Sequence, residues 1–419
     1  MLGSLKRLFY FPLAYYFRFF AEIKLKSWKP YIIVVTGSSG KTTLLHLIES
    51  QIGDKAKYSH HANSAYGIPF DILSLHRKNL KLTEWIYLFL AAPFSAFRKP
   101  PEQKLYIVEA DCDRPEEGKF LATLLRPSVT LWTNSTKTHS MNFDGLVENA
   151  KFAEVEEAIA YEFGYFLEFS KDLAIVNGDS NLIEMQFERT KAEIQRVKVE
   201  NLKNYEISNG KTVFETKGSI FKFDLLLPKE FYYSLEMTIL LLRKLGMELD
   251  TTFSKFRIPP GRNSIFKGIK NTTLVDSSYN ANLDSMTAIL NMFDNIKAEK
   301  KWIVAGDMLE QGKSEESEHE KLADLISKIK IEKIILMGPR VLKHTLPKIT
   351  NHKKVVGFEN PDEVLKYLKE NIKGGETILF KGARYLEGVI ENLLADKNDA
   401  SKLARREKIW QERRKKFGL

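Results

Sequence analysis

Short apolar runs recur along the chain, and each ends in polar or glycine-rich residues. They are YIIVV (31–35), LYIVEA (105–110), VTLWT (129–133), LAIVN (173–177), TLVD (273–276), WIVAG (302–306), IILMG (334–338) and TILFKG (377–382). Runs of this length without polar alternation predict strands buried on both faces, as in parallel sheets. Helical spacing fills most of the intervals, so the pattern predicts an α/β protein with two doubly wound sheets in series. The seam is predicted near RIPPGR (257–262), where two prolines and a glycine follow a helical run over 230–245. In such sheets ligands gather beyond the carboxyl ends of the strands.

Two stretches stand outside this alternation. The first 29 residues are rich in aromatics, with Leu5, Leu8, Pro12, Tyr16, Phe19 and Ile23 at roughly helical spacing. Arg18 interrupts the apolar region and no small-residue cleavage site follows, so a cleaved signal peptide is not expected. An interfacial helix and a helix packed on the main domain both fit. The second stretch, TEWIYLFLAAPFSAFRKPP (83–101), carries an apolar run over 85–94. The last residues, SKLARREKIWQERRKKFGL, predict a charged helix or a frayed tail.

The chain has 419 residues, 43% of them hydrophobic, enough for a sizeable core and two or three domains. Its single cysteine, Cys112, excludes an internal disulfide framework and fits a reducing compartment. No 18-residue uncharged apolar run is present, so no membrane-spanning helix is predicted. The net charge of +10 sits at the two ends: residues 1–29 carry six Lys/Arg against one Glu, and residues 396–419 nine against four Asp/Glu. The body between is formally neutral, which argues against a nucleic-acid groove. The charged ends suit an anionic surface or solubility alone.

The string VVTGSSGKTT (34–43) follows the first apolar run and opens a helical one, the setting of a phosphate loop. Gly37 and Gly40 permit a turn with inward N–H groups, which Ser38, Ser39, Lys41, Thr42 and Thr43 extend. Lys41 offers a compact cation to β/γ-phosphates, and Thr42 a hydroxyl to Mg2+. Glu109 ends the next long run, with Asp111 and Asp113 beyond it, where a hard Mg2+ would find oxygen ligands. His139 lies beyond VTLWTN and has a metal or phosphate role as one reading; Lys151, twelve residues on, reads equally as a solvated helix lysine.

These motifs resemble the ATP-dependent Mur ligases, which build the peptide of peptidoglycan, and most closely the branch that adds D-alanyl-D-alanine to the UDP-N-acetylmuramoyl tripeptide. The resemblance rests on TGSSGKTT, ANSAYGIP (62–69), VEAD (108–111), THSMNFDG (138–145), AIVNGDS (174–180), PGRNSIF (260–266), VDSSYNANLDSM (275–286), VAGDMLEQGKSEESEH (304–319) and LFKGARYLEGVI (379–390), and covers roughly residues 30–395. It implies a P-loop central ATPase domain over 30–258 and a Rossmann-like carboxyl-terminal domain over 259–395, flanked by the aromatic-basic segment 1–29 and the basic tail 396–419.

Residue by residue, the resemblance implies that Lys41 and the loop backbone hold the ATP phosphates. Thr42 and Glu109 would bind one Mg2+ and His139 a second, assisted by Lys151 as the family's carbamylated lysine. Asn177 and Asp179 sit in a motif closing the central sheet. Arg262, Asp276, Tyr279, Asn280 and Asn282 would meet the nucleotide. Asn63 and Ser64, with Lys381 and Arg384 at the domain cleft, would meet substrate. The expected chemistry is amide ligation through an acyl phosphate, by a cytoplasmic monomer acting on a nucleotide-sugar peptide and an amino acid or dipeptide. Three departures stand out: LLPKEFYYSLE (226–236) replaces the family's Gly-x-His-Asn string and its adenine contacts, Ser277 replaces an aspartate, and Leu283 a proline. The uridine-gripping amino-terminal domain also has no counterpart in the sequence. Two further readings remain open: the same chemistry on another, membrane-linked acceptor, with peripheral contact through 1–29 and 83–101, and a non-catalytic nucleotide-binding subunit.

Overall fold

The computed structural model describes residues 10–60, 62–77, 82–349, 354–382 and 385–419. The chain forms two units. One comprises residues up to Thr136, Gly145–Val199 and Tyr233–Phe256; the other comprises Lys137–Asp144, Glu200–Tyr232 and Arg257–Leu419.

The first unit is built on six parallel strands: β1 (Tyr31–Thr36), β2 (Ala56–Tyr58), β3 (Leu105–Glu109), β4 (Val129–Trp132), β5 (Leu173–Asn177) and β6 (Glu193–Val197). Their order is β2-β3-β1-β4-β5-β6. The chain lays β2 and β3 on one side of β1, then crosses to place β4 on the other, and this reversal opens a crevice at the carboxyl ends beside β1. In β1 only Tyr31 is not buried, which explains its unbroken apolar sequence. The parallel register sets Val35 opposite Glu109 and Thr36 opposite Trp132. The residues that follow these strands therefore converge on one edge.

Helix α1 (Tyr10–Trp28) buries Ala14, Phe17, Ala21, Lys24 and Trp28, a spacing of three and four residues that forms one face. It packs on the first unit, as the second of the two readings expected for this part of the segment; Leu5 and Leu8 lie outside the described residues. Phe17 meets Phe70 and, with Tyr16, Phe89; the Trp28 indole donates to Gln103 O at 2.7 Å. Helix α2 (Lys41–Ile52) follows β1, and the short helix α3 (Gly67–Ile72) follows β2. Helix α4 (Leu82–Phe97), the second apolar stretch, lies against α1, with Tyr16 Oη donating to Phe89 O at 2.8 Å. Helices α5 (Glu117–Leu125) and α6 (Val155–Glu168) complete the helices used below for this unit.

The second unit holds a six-stranded sheet in the order β10-β11-β15-β12-β13-β14. Its strands are β10 (Ser264–Lys267), β11 (Thr273–Ser277), β12 (Lys301–Gly306), β13 (Lys333–Met337), β14 (Val355–Phe358) and β15 (Thr377–Lys381). All neighbours are parallel except β10, an antiparallel edge strand. Alternation divides the core: Ile303 and Ala305 join one cluster with Val275 and Leu379, while Trp302 and Val304 join the other with Ile378 and Phe380. A separate antiparallel sheet of β7 (Leu202–Ser208), β8 (Lys211–Thr216) and β9 (Ile220–Phe223) belongs to the same unit.

The basic tail is ordered onto this second unit. Helices α7 (Leu283–Asp294), α8 (Leu386–Leu393) and α9 (Lys408–Lys415) include the last of these elements. Arg414 of α9 is buried and pairs with the fully buried Glu387 of α8 at 3.3 Å. Among the described residues no helix is long and apolar enough to cross a membrane.

Candidate active site

The turn from β1 into α2 is shaped by glycine. Gly37 has φ 125°, and a Cβ there would meet Thr133 Oγ1 at 2.4 Å and Asn134 O at 2.7 Å. Only a residue without a side chain lets the loop pass this close over the end of β4. Gly40 caps α2 at φ 80° and offers no side-chain cap to its first turn. Those amides and the helix dipole favour an anion in front of Lys41.

The segment after β4 clamps the loop. Ser38 N–H donates to Asn134 O at 3.1 Å, and Ser39 N–H to Asn134 Oδ1 at 2.9 Å. The Asn134 amide returns a bond to Ser39 Oγ at 2.6 Å, and Ser38 Oγ donates to Thr136 O at 2.8 Å. Asn134 was not singled out in the sequence. Its signal was its place, directly beyond a strand adjacent to the phosphate-loop strand.

Lys41 is buried, with its ammonium 2.5 Å from Gly37 O and 2.8 Å from Asp111 Oδ2. Burial alone would lower its pKa, but the carboxylates of Asp111 and then Glu109 more than offset that, and it is raised. The ammonium stays charged. Glu109 closes β3, its N–H donating to Ser59 Oγ at 2.9 Å, and Thr36 Oγ1 donates to Ala110 O at 2.9 Å. The Thr42 hydroxyl in the first turn of α2 and the Glu109 carboxylate are hard oxygen donors, the type Mg2+ takes. Thr43 follows, half-buried. Asn63 and Ser64 lie on the neighbouring turn, where Asn63 O accepts from Asp111 N–H at 2.8 Å and Ser64 Oγ from Gly67 N–H at 3.2 Å.

Two buried carboxyls lie nearby in the same unit. Glu117 accepts from Ala65 N–H at 2.7 Å and Tyr10 Oη at 3.0 Å. Glu162 accepts from Glu116 N–H at 2.9 Å and Gly118 N–H at 3.0 Å. Burial lifts both to about 7, with Asp113 adding to the rise at Glu117.

The remaining predicted residues are placed as follows. Asn177 ends β5 and accepts from Asp179 N–H at 2.9 Å, while Asp179 accepts from Tyr233 Oη and Val199 N–H, both at 2.6 Å. Lys151 is exposed in a turn, and no hydrogen bond or ion pair among the described residues ties its amine to Lys41 or Glu109. His139 belongs to the second unit, where its Nδ1 lies 2.6 Å from Glu310 Oε2.

In that unit, Asp276 is fully buried at the end of β11, and Ser278 donates to it through both N–H (3.0 Å) and Oγ (2.6 Å). Its other oxygen has no partner among the described residues. Lys381, buried on β15, donates to Asn280 O at 2.7 Å. Burial, and then the Arg262 cation, push its pKa down to about 7, against the pull of Asp276 and Asp284. The Arg262 guanidinium lies 4.1 Å over the Tyr279 ring, and Arg405 lies 5.3 Å over the same ring. Arg405, from the basic tail, was missed because its sequence neighbours are an undifferentiated charge run. Asn282 caps α7 by accepting from Ser285 N–H at 2.9 Å, and its amide donates to Lys137 O at 3.2 Å. Arg384 lies outside the described residues.

Comparison with known proteins decides the family. Residues 35–239 match the Mur ligase middle domain, and residues 261–384 match the Mur ligase, glutamate ligase domain. The chain belongs to the Mur ligase family. It is 25% identical over 409 residues to the UDP-N-acetylmuramoyl-tripeptide--D-alanyl-D-alanine ligase of Buchnera aphidicola subsp. Baizongia pistaciae, covering 90% of this chain and 79% of that one. Among solved structures it resembles the MurF ligase of Thermotoga maritima in complex with ADP, with a TM-score of 0.71, 20% identity, and coverage of 96% and 84%. MurF from Acinetobacter baumannii gives a TM-score of 0.72 at 19% identity, covering 90% and 79%. These structural likenesses are of fold, and they agree with the α/β architecture expected for this Mur ligase.

Proposed function

We propose that this Mur ligase is an ATP-dependent amide ligase of cell-wall precursor synthesis, with D-alanyl-D-alanine as the amine and a nucleotide-linked muramoyl tripeptide as the carboxylate. The observation that carries it is the clamped loop: glycine turns over β4, helix-first-turn amides, and a buried ammonium held charged by two carboxylates. Such a cradle fits a triphosphate.

The γ-phosphoryl of ATP passes to a substrate carboxylate oxygen, and ADP leaves. The amine attacks the acyl carbon of the resulting acyl phosphate, loses a proton, and inorganic phosphate departs. Lys41 and the α2 amides hold the phosphates and match the charge that spreads over the transferring group. Thr42 and Glu109 would hold Mg2+, which when bound neutralises phosphate oxygens. Asn63 and Ser64 beside the loop, and Lys381 with Arg384 in the other unit, are assigned to substrate. Arg262, Asp276, Tyr279, Asn280 and Asn282 are assigned to the nucleotide. The same reading has the enzyme act in the cytoplasm.

The test is the purified chain with ATP, Mg2+, UDP-muramoyl tripeptide and D-alanyl-D-alanine, followed by mass spectrometry. The expected result is an amide product gained with one ADP per bond. ADP release without product over a range of amines would remove the ligase assignment. Lys41→Met is expected to bind ATP weakly and to form no product.

A further inference from the structure

Helix α4 has two faces of unlike fate. Its inner face is locked: Leu88, Ala92, Ser95 and Ala96 are buried, and the Lys24 ammonium from α1 donates to Ser95 O at 3.1 Å, Arg98 O and Lys99 O. A buried cation on the last carbonyls satisfies them and opposes the helix dipole. The outer face is apolar and open to solvent. Ile86 is 55% exposed, Tyr87 61%, Leu90 66%, Phe94 73% and Phe97 77%. At 100° per residue these five positions fall within a single quarter-to-third of the helix circumference. Scattered exposed apolar residues are ordinary, but a continuous stripe of five large ones marks a contact surface.

The chemistry around the stripe names its occupant. Arg77 lies 5.1 Å over the Trp85 ring near the start of α4, and Arg98 and Lys99 are exposed just beyond its end, where Lys99 meets Glu102 at 3.1 Å and Arg98 leaves a net positive charge. Lys78 and Lys81 add positive charge in the sequence immediately before it, against only Glu84 within the helix. An apolar stripe bracketed by cations at both ends complements anionic headgroups above acyl chains. At 16 residues, with Pro93 inside and one face already buried, α4 cannot span a bilayer. Its geometry is that of a helix lying in the plane of the interface.

We propose that the first unit docks on an anionic lipid surface through the outer face of α4, with Phe94, Phe97 and Leu90 inserted and the flanking cations at headgroup level. This does not rest on the ligase reading, because it concerns a surface that the phosphate loop does not use.

The test is flotation of the full chain with vesicles of phosphatidylcholine containing about 30% phosphatidylglycerol, and with phosphatidylcholine alone. Leu90→Ser/Phe94→Ser is the variant, since both side chains face solvent and their loss leaves the core intact; an unchanged melting curve checks this. The expected result is flotation on the anionic vesicles, weakened by salt and reduced about tenfold or more in the variant. A second readout uses a nitroxide on Phe94→Cys, made specific by the burial of Cys112. Its accessibility is expected to shift from a water-soluble relaxant to oxygen when vesicles are added. No flotation, flotation undiminished in the variant, or a lipid-independent dimer that the same substitutions dissolve would each overturn the proposal, the last by giving the face to a second copy of the chain.

Discussion

The ammonium of Lys41 lies 2.8 Å from the carboxylate of Asp111, with both side chains buried. Asp111 stands two residues past the end of β3, which pairs with β1 so that Glu109 faces Val35. The acid and the Gly37 carbonyl therefore fix the lysine ammonium against the loop. Removing one partner of a buried pair strands the other, typically at about 3–5 kcal/mol. Here Glu109 remains close enough to share the ammonium, so Asp111→Asn is expected to cost about 2–3 kcal/mol in urea unfolding. Saturating Mg-ATP should recover part of that loss, because phosphate then takes the place of the acid. In a Lys41→Met background the same Asp111→Asn change should cost less than about 1 kcal/mol. Equal cost in both backgrounds would show that the pair is not coupled.

Glu117 and Glu162 give a stability that depends on pH with an unusual sign. Their folded pKa values, about 7, lie above the ordinary value of 4.5. Between those limits the folded state holds protons that the unfolded chain has released, so stability falls as pH rises from about 4.5 through 7 and then levels. Each group contributes on the order of 3 kcal/mol across that window. Glu162→Gln removes one titration but keeps an oxygen for only one of the N–H groups of Glu116 and Gly118, so it lowers stability at every pH and the slope alone reads the titration. Denaturant unfolding from pH 5 to 8 is expected to show a shallower decline in this variant. Parallel slopes for variant and parent would refute the assignment.

The eight apolar runs of the sequence became β1, β3, β4, β5, β11, β12, β13 and β15, each within a residue or two of its expected bounds. They were legible because both faces are buried and apolar residues dominate them, with polar exceptions such as Thr130 and Lys381 themselves buried. β2 (AKY) and β6 (EIQRV) were not legible, because they are sheet edges whose burial is partial. Nor was the β7–β9 sheet, whose strands alternate exposed and buried positions within a charged background. The loop from Gly37 to Thr43 was readable because its chemistry is local. The Asn134 clamp and the stacking of Arg405 on Tyr279 were not, because each joins residues 95 or more positions apart and depends on the fold alone.

The carboxyl-terminal tail carries a structural pairing that its composition disguises. Arg414 Nη1 reaches Glu387 at 3.3 Å and Arg405 O at 2.9 Å, and Arg406 forms a two-pronged pair with Glu391 at 2.7 and 2.9 Å. Glu387 is fully buried and keeps only Arg405 Nη1, at 3.5 Å, when Arg414 is removed, so Arg414→Ala is expected to cost about 2 kcal/mol, below the cost of a fully stranded carboxylate. Exposed Lys416→Ala, which removes the same charge from the same segment, is expected to cost less than about 0.5 kcal/mol. Thermal unfolding of the two variants separates pairing from net charge; equal shifts would mean that the tail acts only through its overall charge.

Lys381 is poised to gain a proton when an anion arrives. Its folded pKa of about 7 lies below the ordinary 10.5, chiefly because the side chain is buried and next because Arg262 is near. Between pH 7 and 10.5 the unfolded chain holds a proton that the folded chain lacks, so this group makes stability rise with pH across that window. A substrate carboxylate or phosphate placed against the amine would reverse its desolvation cost and restore the charge. Binding of the carboxylate substrate at pH 8 should then take up about one proton. Calorimetric titrations in buffers of different ionisation enthalpy measure this directly: the apparent binding enthalpy should vary with the buffer in the parent and not in Lys381→Met. Binding without proton uptake in the parent would mean that Lys381 meets no anionic ligand, and its place on β15 would then be explained by its bond to Asn280 O alone.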